Sequence, residues 1–264
     1  MLEPIKNMNE AFDFKGKNVI VTGGNKGIGF GISTAFAQSG ANVAIFCRDI
    51  AAAEEAVKEL ARYGGKYESF SCDVTSPASI REAVSKMCGS FGQIDVLVNN
   101  AGVACGGAFL DMDEDLGEWY RVFATDLNGV AHMTYEVGKR MRDAGKGGAI
   151  VNISSNAGFI VNRGVAFAPY STSKAAVNHF TRCMAVELGE HGIRVNAIAP
   201  GFTFSNFSKG MPQETIDRFT SVMSVKRFGE PIEIGALAVY LASPAAAQVT
   251  GTVQVHDGGY MLTC

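Results

Sequence analysis

A phenol and an ammonium lie four residues apart in YSTSK, as Tyr170 and Lys174. On a helix that spacing puts both side chains on one face, within reach of one ligand. Free tyrosine, with a pKa of about 10, is a poor base at neutral pH, but a close positive charge lowers an acid's pKa by roughly 1–3 units. The pair is therefore suited to proton transfer, with Tyr170 as the acid/base and Lys174 tuning it. Upstream, VNISSNAG closes a β-branched run with Ser154 and Ser155, and a hydroxyl at the carboxyl end of a strand sits where open α/β sheets bind ligands. One of these serines is placed to steady a substrate oxygen. Spacing by itself does not select the site, because YEVGK repeats it at Tyr135 and Lys139. The stretch ahead of that second pair, VFATDLNGVAHMT, reads as helix and offers no strand-end hydroxyl, so Tyr135 and Lys139 are expected to be surface neighbours.

A second group of residues points to a nucleotide. VIVTGGNKGIGFGI sets Gly23, Gly27 and Gly29 at the first strand-to-helix turn, where backbone N–H groups can close on a pyrophosphate at a helix N-terminus. Asn25, Lys26 and Ile28 fill the remaining places of this cradle. The spacing is G-x-x-x-G-x-G, and glycine in such turns also serves tight helix-on-sheet packing, so the flanking strand and helix patterns carry the reading. At the end of the second strand a carboxylate would bind the adenosine 2′-hydroxyl, whereas arginine accepts a 2′-phosphate. NVAIFCRD puts Arg48 there, and Lys26 is a second cation for the phosphate. The expected cofactor is NADP(H). The alternative is Asp49 on an unphosphorylated ribose, with Arg48 solvated.

These residues need elements to hold them, and the chain alternates short β-branched runs with longer helix-like stretches. NVIVTG precedes GISTAFAQSG, NVAIF precedes AAAEEAVKELARYG, YESFSCDV precedes SIREAVSKMCGSFG, and IDVLVNNAG follows. Later come GAIVNIS, the helix around STSKAAVNHFTRCMAVELGEHG, the strand IRVNAIAPG, the helix PIEIGALAVYLAS and the strand TGTVQVHDGG. Such alternation predicts an α/β fold, a single doubly wound, Rossmann-like parallel sheet with helices on both faces. With 264 residues, 47% of them hydrophobic, and no linker or repeat, the economical division is an N-terminal arm over 1–14 and one catalytic domain over 15–264. A mixed polar and aromatic segment at about 202–220 interrupts the pattern and is expected to form a substrate lid.

Composition narrows the partners. A net charge of −3 with scattered cations gives no surface for nucleic acid or acidic membrane. No segment approaches the ~18 continuous apolar residues of a membrane span, and no basic region with an apolar run opens the chain. The six cysteines, Cys47, Cys72, Cys88, Cys105, Cys183 and Cys264, contain no CxxC pair, so neither a metal site nor a disulfide framework is expected. The expectation is a soluble, cytoplasmic protein acting on a small molecule.

From about Lys15 to Tyr260 the sequence resembles the short-chain dehydrogenase/reductase family: TGGNKGIG, CDVT, NNAG, a serine before YSTSK, IRVNAIAPG and a closing TG…DGG occur in the family's order. The resemblance implies that Ser155 is the catalytic hydroxyl, that Tyr170 is the acid/base, and that Lys174 both tunes it and holds the nicotinamide ribose. It further implies that Asp73 contacts the adenine with Val74 beside it, and that Asn100, Ala101 and Gly102 line the ribose side. The turn at Pro200 and Gly201 would lead to Thr203 and Ser205 at the carboxamide. Capping and turn roles remain the alternatives for Asp73 and for NNAG. The family usually carries asparagine at the start of N-L-x-G, where it helps hold a water in the proton path; here TDLNG puts Asp126 in that place, which implies Asp126 in the catalytic relay with its charge supporting Lys174, and a register slip would bring Asn128 instead.

The reaction implied is hydride transfer between a nicotinamide and a carbonyl carbon. FDFKGK, TDLNG and DGGY look like the polyol and ketose reductases of the family, whereas Phe159, Ile160, Phe202, Phe204, Phe207 and Met211 make a more apolar pocket than a sugar needs. Hydroxysteroid dehydrogenases and general ketone reductases are therefore alternatives; a 3-oxoacyl-carrier-protein reductase, which would want a basic docking patch not identifiable in the sequence, is a third, and a non-catalytic nucleotide sensor or scaffold is one of another class. The resemblance also implies a homotetramer.

Overall fold

The computed structural model describes residues 5, 7–8, 10–103, 105–161, 166–205, 208 and 210–262. Seven strands form one all-parallel sheet: β1 (Asn18–Thr22), β2 (Asn42–Cys47), β3 (Tyr67–Ser71), β4 (Val96–Asn99), β5 (Gly148–Ile153), β6 (Ile193–Pro200) and β7 (Val253–His256), in the order β3-β2-β1-β4-β5-β6-β7. The Rossmann-like α/β arrangement expected from the alternation is the one observed. Registers such as Val21↔Ile45 and Asn99↔Asn152 keep the strand ends level.

Both faces of the sheet are covered, which is why its strands read as continuous apolar runs rather than as alternation. On one face lie α1 (Gly27–Gln38), α2 (Ile50–Leu60) and α8 (Pro231–Ala242), where Phe36, Leu60 and Leu241 pack on Val19, Ile45 and Val98. On the other lie α3 (Pro77–Phe91), α5 (Gly129–Ala144) and α6 (Ala168–Gly189), where Met87, Met133 and Met141 pack on Ile20, Leu97 and Ile150. Successive strand residues thus feed opposite cores, the period-2 rule of a strand. α1 and α8 meet backbone to backbone, because a Cβ on Gly235 would lie 2.6 Å from the Gly31 carbonyl oxygen.

The first residues of the segment read as an arm are partly outside the description, but its end is packed: Phe14 is buried and meets Phe36 edge-on at 5.2 Å. The stretch VFATDLNGVAHMT is helical with one irregularity. α4 (Gly117–Phe123) runs into a π-helical turn, Ala124–Asn128, before α5 begins. Such turns insert one extra residue into a helix and are frequent at functional sites. The segment expected as a lid contains α7 (Gln213–Val222) and has a small core of its own, in which Phe202 stacks on Phe219 at 4.1 Å and on Phe228 at 5.4 Å.

Strand order fixes where a ligand can sit. β1 lies between β2 and β4, so the connections leaving β1 and β4 diverge and open a crevice at their carboxyl ends, the switch point of a doubly wound sheet. Among the described residues no helix is long and apolar enough to cross a membrane, and no cluster of three metal-ligating side chains occurs.

Candidate active site

The crevice holds two connected spaces. The first, about 580 Å³, runs over the glycine turn and the ends of β2 and β3. Gly23, Asn25, Lys26, Gly27, Ile28 and Gly29 form one wall, Arg48, Asp73 and Val74 the far end, and Asn100, Ala101 and Gly102 the other side. The turn needs glycine for two reasons. Gly23 and Gly27 adopt φ of +64° and +53°, and a Cβ on Gly29 would run into the Gly23 carbonyl oxygen. The NNAG turn is tied to it: the N–H groups of Asn100 and Ala101 both donate to Thr22 Oγ1 at 2.9 Å, and Asn100 Nδ2 donates to the Thr22 carbonyl at 2.9 Å. α1 starts at Gly27 with no side chain capping it, leaving its first N–H groups toward the cleft.

At the far end of this space the charges are asymmetric. Lys26 and Arg48 are exposed, and neither forms an ion pair among the described residues. Asp49 is engaged, because its carboxylate accepts the Ala52 N–H at 3.1 Å as the N-cap of α2. Asp73 accepts both the N–H and the hydroxyl of Thr75, at 2.9 and 2.8 Å; the N–H bond leads in holding its carboxyl below the usual range. It lines the cleft, while Ser76 caps α3. Cys47 and Cys72 form part of the floor. Burial, then the Asp73 charge, pushes the Cys72 thiol up to about 12, and burial also leads in raising Cys47. These thiols remain neutral in the floor of the cleft.

The second space, about 320 Å³, opens from the first past Ile28, Asn100, Gly102 and Ser205. Ser155, Tyr170, Lys174 and Asp126 line it together with Pro200, Gly201 and Thr203. Ser155, at the end of β5, accepts the Ala157 N–H at 3.1 Å. Ser154 also reaches the cavity, but its hydroxyl donates to the Lys174 carbonyl at 3.1 Å and so ties β5 to α6. Tyr170 lies in the first turn of α6, edge-on to Phe167 at 6.1 Å. One turn later, the Lys174 ammonium is 5.4 Å from the centre of the Tyr170 ring.

Asp126, from the π turn, faces Lys174. Its Oδ2 is 3.0 Å from Nζ, with side-chain exposures of 0% and 6%, and has no other partner. Its Oδ1 accepts the Val103 N–H at 2.7 Å, while Nζ also donates to the Ile153 carbonyl at 3.2 Å. Burial acts against the ammonium, but the Asp126 and Tyr170 charges and the Asp126 hydrogen bond outweigh it, holding Lys174 above the ordinary lysine value. Asn128 is exposed and lines neither space. Tyr135 and Lys139 are exposed as well, away from both.

The pocket aromatics divide. Phe202 and Met211 line the cavity, whereas Phe159 and Phe204 are exposed and Ile160 packs into the lid core. Those three, expected at the pocket, are turned away because the lid builds its own cluster around Phe228 and Tyr260; Phe207 lies outside the described residues. Among the wall residues that the sequence reading did not single out are Asn156, Phe167 and Phe228. Asn156 follows Ser155 directly and was readable as a polar neighbour; Phe228 arrives from beyond the lid, and no local pattern marks it.

A family model described as enoyl-(acyl carrier protein) reductase matches residues 23–261. The chain belongs to the short-chain dehydrogenase/reductase family. Sorbose reductase of Candida albicans is 35% identical over 259 residues, spanning 98% of this chain and 91% of that protein. D-threitol dehydrogenase of Mycolicibacterium smegmatis is 38% identical over 255 residues, spanning 95% and 96%. A solved 7α-hydroxysteroid dehydrogenase, in complex with NADH and 7-oxo glycochenodeoxycholic acid, is similar with a TM-score of 0.90 at 33% identity, covering 97% of this chain and 98% of that one. The chain is thus an oxidoreductase of the alcohol dehydrogenase or carbonyl reductase kind, with a nicotinamide cofactor, NAD or NADP, and a small-molecule carbonyl or alcohol substrate.

Proposed function

We propose that this protein is an NADP(H)-dependent reductase of small hydroxylated ketones, interconverting a ketose or related ketone with its polyol. The observation that carries the reading is the meeting of the two spaces: a nucleotide-shaped cleft opens directly onto a cavity lined by Ser155, Tyr170 and Lys174.

The residues present suit the cofactor. The uncapped start of α1 and the glycine turn would hold its pyrophosphate, and Asn100 to Gly102 its ribose side. Arg48 and Lys26 favour the phosphorylated form, since Asp49 is occupied as a helix cap and the nearby Cys47 and Cys72 are neutral. When bound, the reduced cofactor supplies a hydride to the carbonyl carbon. Ser155 donates a hydrogen bond to the carbonyl oxygen, and Tyr170 gives its phenolic proton to the oxygen as negative charge develops there. The Lys174 ammonium, kept charged by Asp126, stabilises the phenolate that remains. In the oxidative direction the same groups take the proton from a secondary alcohol.

Cavity size favours a small substrate. About 320 Å³ lies at the bottom of the range of roughly 300–1,000 Å³ for ligand pockets, and Gly201, Thr203 and Ser205 give part of that space to the nicotinamide. The sugar-alcohol activities named for two relatives fit what remains better than a four-ring steroid does.

The test is NADPH oxidation, followed by absorbance, with a panel of ketoses, ketosteroids and simple ketones. Turnover of the small hydroxylated ketones, faster with NADPH than with NADH and abolished by Tyr170→Phe, is the expected outcome. Turnover confined to ketosteroids would overturn the substrate class, and unchanged activity in Tyr170→Phe would overturn the mechanism.

A further inference from the structure

One buried donor in the substrate cavity has no partner among the described residues. Asn156 follows Ser155, lines the cavity and is 5% exposed, yet its Nδ2 makes no hydrogen bond to any of them. The group lies between two parts of the wall. On one side, Asn156 Oδ1 is 3.5 Å from the Ser155 hydroxyl; on the other, Nδ2 stands so close to Gly201 that a Cβ there would lie 3.3 Å away. Several other polar side chains around the space have partners within the protein. Ser208 accepts the Ser205 N–H and donates to the Ser205 carbonyl, Thr203 donates to the Gly201 carbonyl, and Asp126 faces Lys174. A buried amide donor without an acceptor is costly, and native interiors seldom keep one without a reason.

We infer that Asn156 is a specificity-determining residue that reads a hydroxyl group on the carbon next to the substrate carbonyl. This rests on the proposed reductase function and deepens it. If Ser155 holds the carbonyl oxygen, the next oxygen along a hydroxylated chain falls beside the residue that follows Ser155. A hydroxyl both donates and accepts, and an amide offers one end of each kind. A site built to bond a hydroxyl discriminates strongly against the analogue lacking it, because its own polar group is then left unpaired. The phenyl and thioether groups of Phe202, Phe228 and Met211 also line the space and add no such requirement.

The test compares 1-hydroxybutan-2-one with butan-2-one as substrates of the wild type, Asn156→Leu and Asn156→Ala, with NADPH. Leucine matches asparagine in size, and alanine is the second variant should leucine impair folding, which thermal melting reports. Comparing the substrate ratio between variants cancels the intrinsic reactivity of the two ketones. The expected result is a ratio of kcat/KM that falls by about 10–100-fold in both variants, with butan-2-one turnover and the KM for NADPH within about 3-fold of wild type. An unchanged ratio overturns the inference while leaving the reductase intact. So does an equal loss with both ketones accompanied by weaker NADPH binding, which assigns Asn156 to the nicotinamide carboxamide. A wild type that oxidises NADPH with no ketone at all overturns the reductase reading, and the inference with it.

Discussion

Replacing Asp126 by asparagine tests the charge arrangement behind the cavity. The substitution keeps an oxygen for the Val103 N–H, now accepted at 2.7 Å, but turns an amide NH₂ toward the Lys174 ammonium 3.0 Å away. Lys174 then keeps only the Ile153 carbonyl, at 3.2 Å, as its hydrogen-bond acceptor. Removing one member of a buried ion pair costs about 3–5 kcal/mol. The cavity lets water approach Nζ, so the lower end, about 3 kcal/mol, is expected, or roughly 6–10 °C in melting temperature for a chain of this size. The pH dependence follows from the raised pKa of Lys174. Its contribution is complete below the unfolded value of 10.5 and is lost as pH rises through the higher folded value. Urea unfolding of wild type and Asp126→Asn from pH 7 to 11 should therefore show a gap that is constant near neutrality and narrows above about pH 10.5. Unfolding midpoints that coincide at pH 7, or a gap undiminished at pH 11, would refute the reasoning.

Arg194 spreads its guanidinium over the Leu241, Ala242, Ser243 and Val249 carbonyls at 2.6–3.2 Å, closing the end of α8. Arg194→Leu should cost about 2–4 kcal/mol in urea unfolding, and an unchanged midpoint would show that water replaces the cap. Glu233, bonded foremost by the Arg227 side chain and then by the Glu230 N–H, is held at about 2. Its contribution is present above pH 4.5 and lost as pH falls through about 2, so Glu233→Gln should flatten part of the acid limb of stability, by under ~1 kcal/mol for so exposed a pair. The Cys72 thiol, pushed up to about 12, should escape alkylation by iodoacetamide at pH 7.5 in the folded protein, as peptide mapping would reveal. Its modification at the rate of a free thiol would contradict the buried floor of the cleft.

The order of strands and helices was legible because each strand is buried on both faces and each helix follows at crossover length. That the glycine turn, Arg48 and YSTSK border one crevice was legible because each is a few consecutive residues at a strand end or in the first turns of the helix that follows it. The ion pair between Asp126 and Lys174 was only half legible. The sequence placed a carboxylate where an amide is usual, but which of Asp126 and Asn128 turns inward depends on the phase of a helix that carries an extra residue. The lid was harder still. Phe159, Ile160 and Phe204 are as apolar as Phe202, and only the stacking of Phe202 between Phe219 and Phe228 determines which ring faces the cavity. Packing of that kind joins residues far apart in the chain, and no spacing rule reports it.

The π-helical turn at Ala124–Asn128 makes the length of this helix a fixed quantity. An α-helix advances about 100° per residue, so shortening the turn by one residue would restore regular winding and swing everything before it a quarter-turn or more around the axis. If α5 kept its seat on the sheet, α4, with Trp119 stacked on Phe123 at 4.6 Å, would leave its place; if α4 kept its seat, Asp126 would be carried away from Lys174. Substitutions along the outer face of this helix leave that phase untouched. Deletion scanning should therefore find a sharp gap in tolerance at residues 124–128 that substitution scanning of the same surface does not show, because what is held there is an angle rather than a side chain.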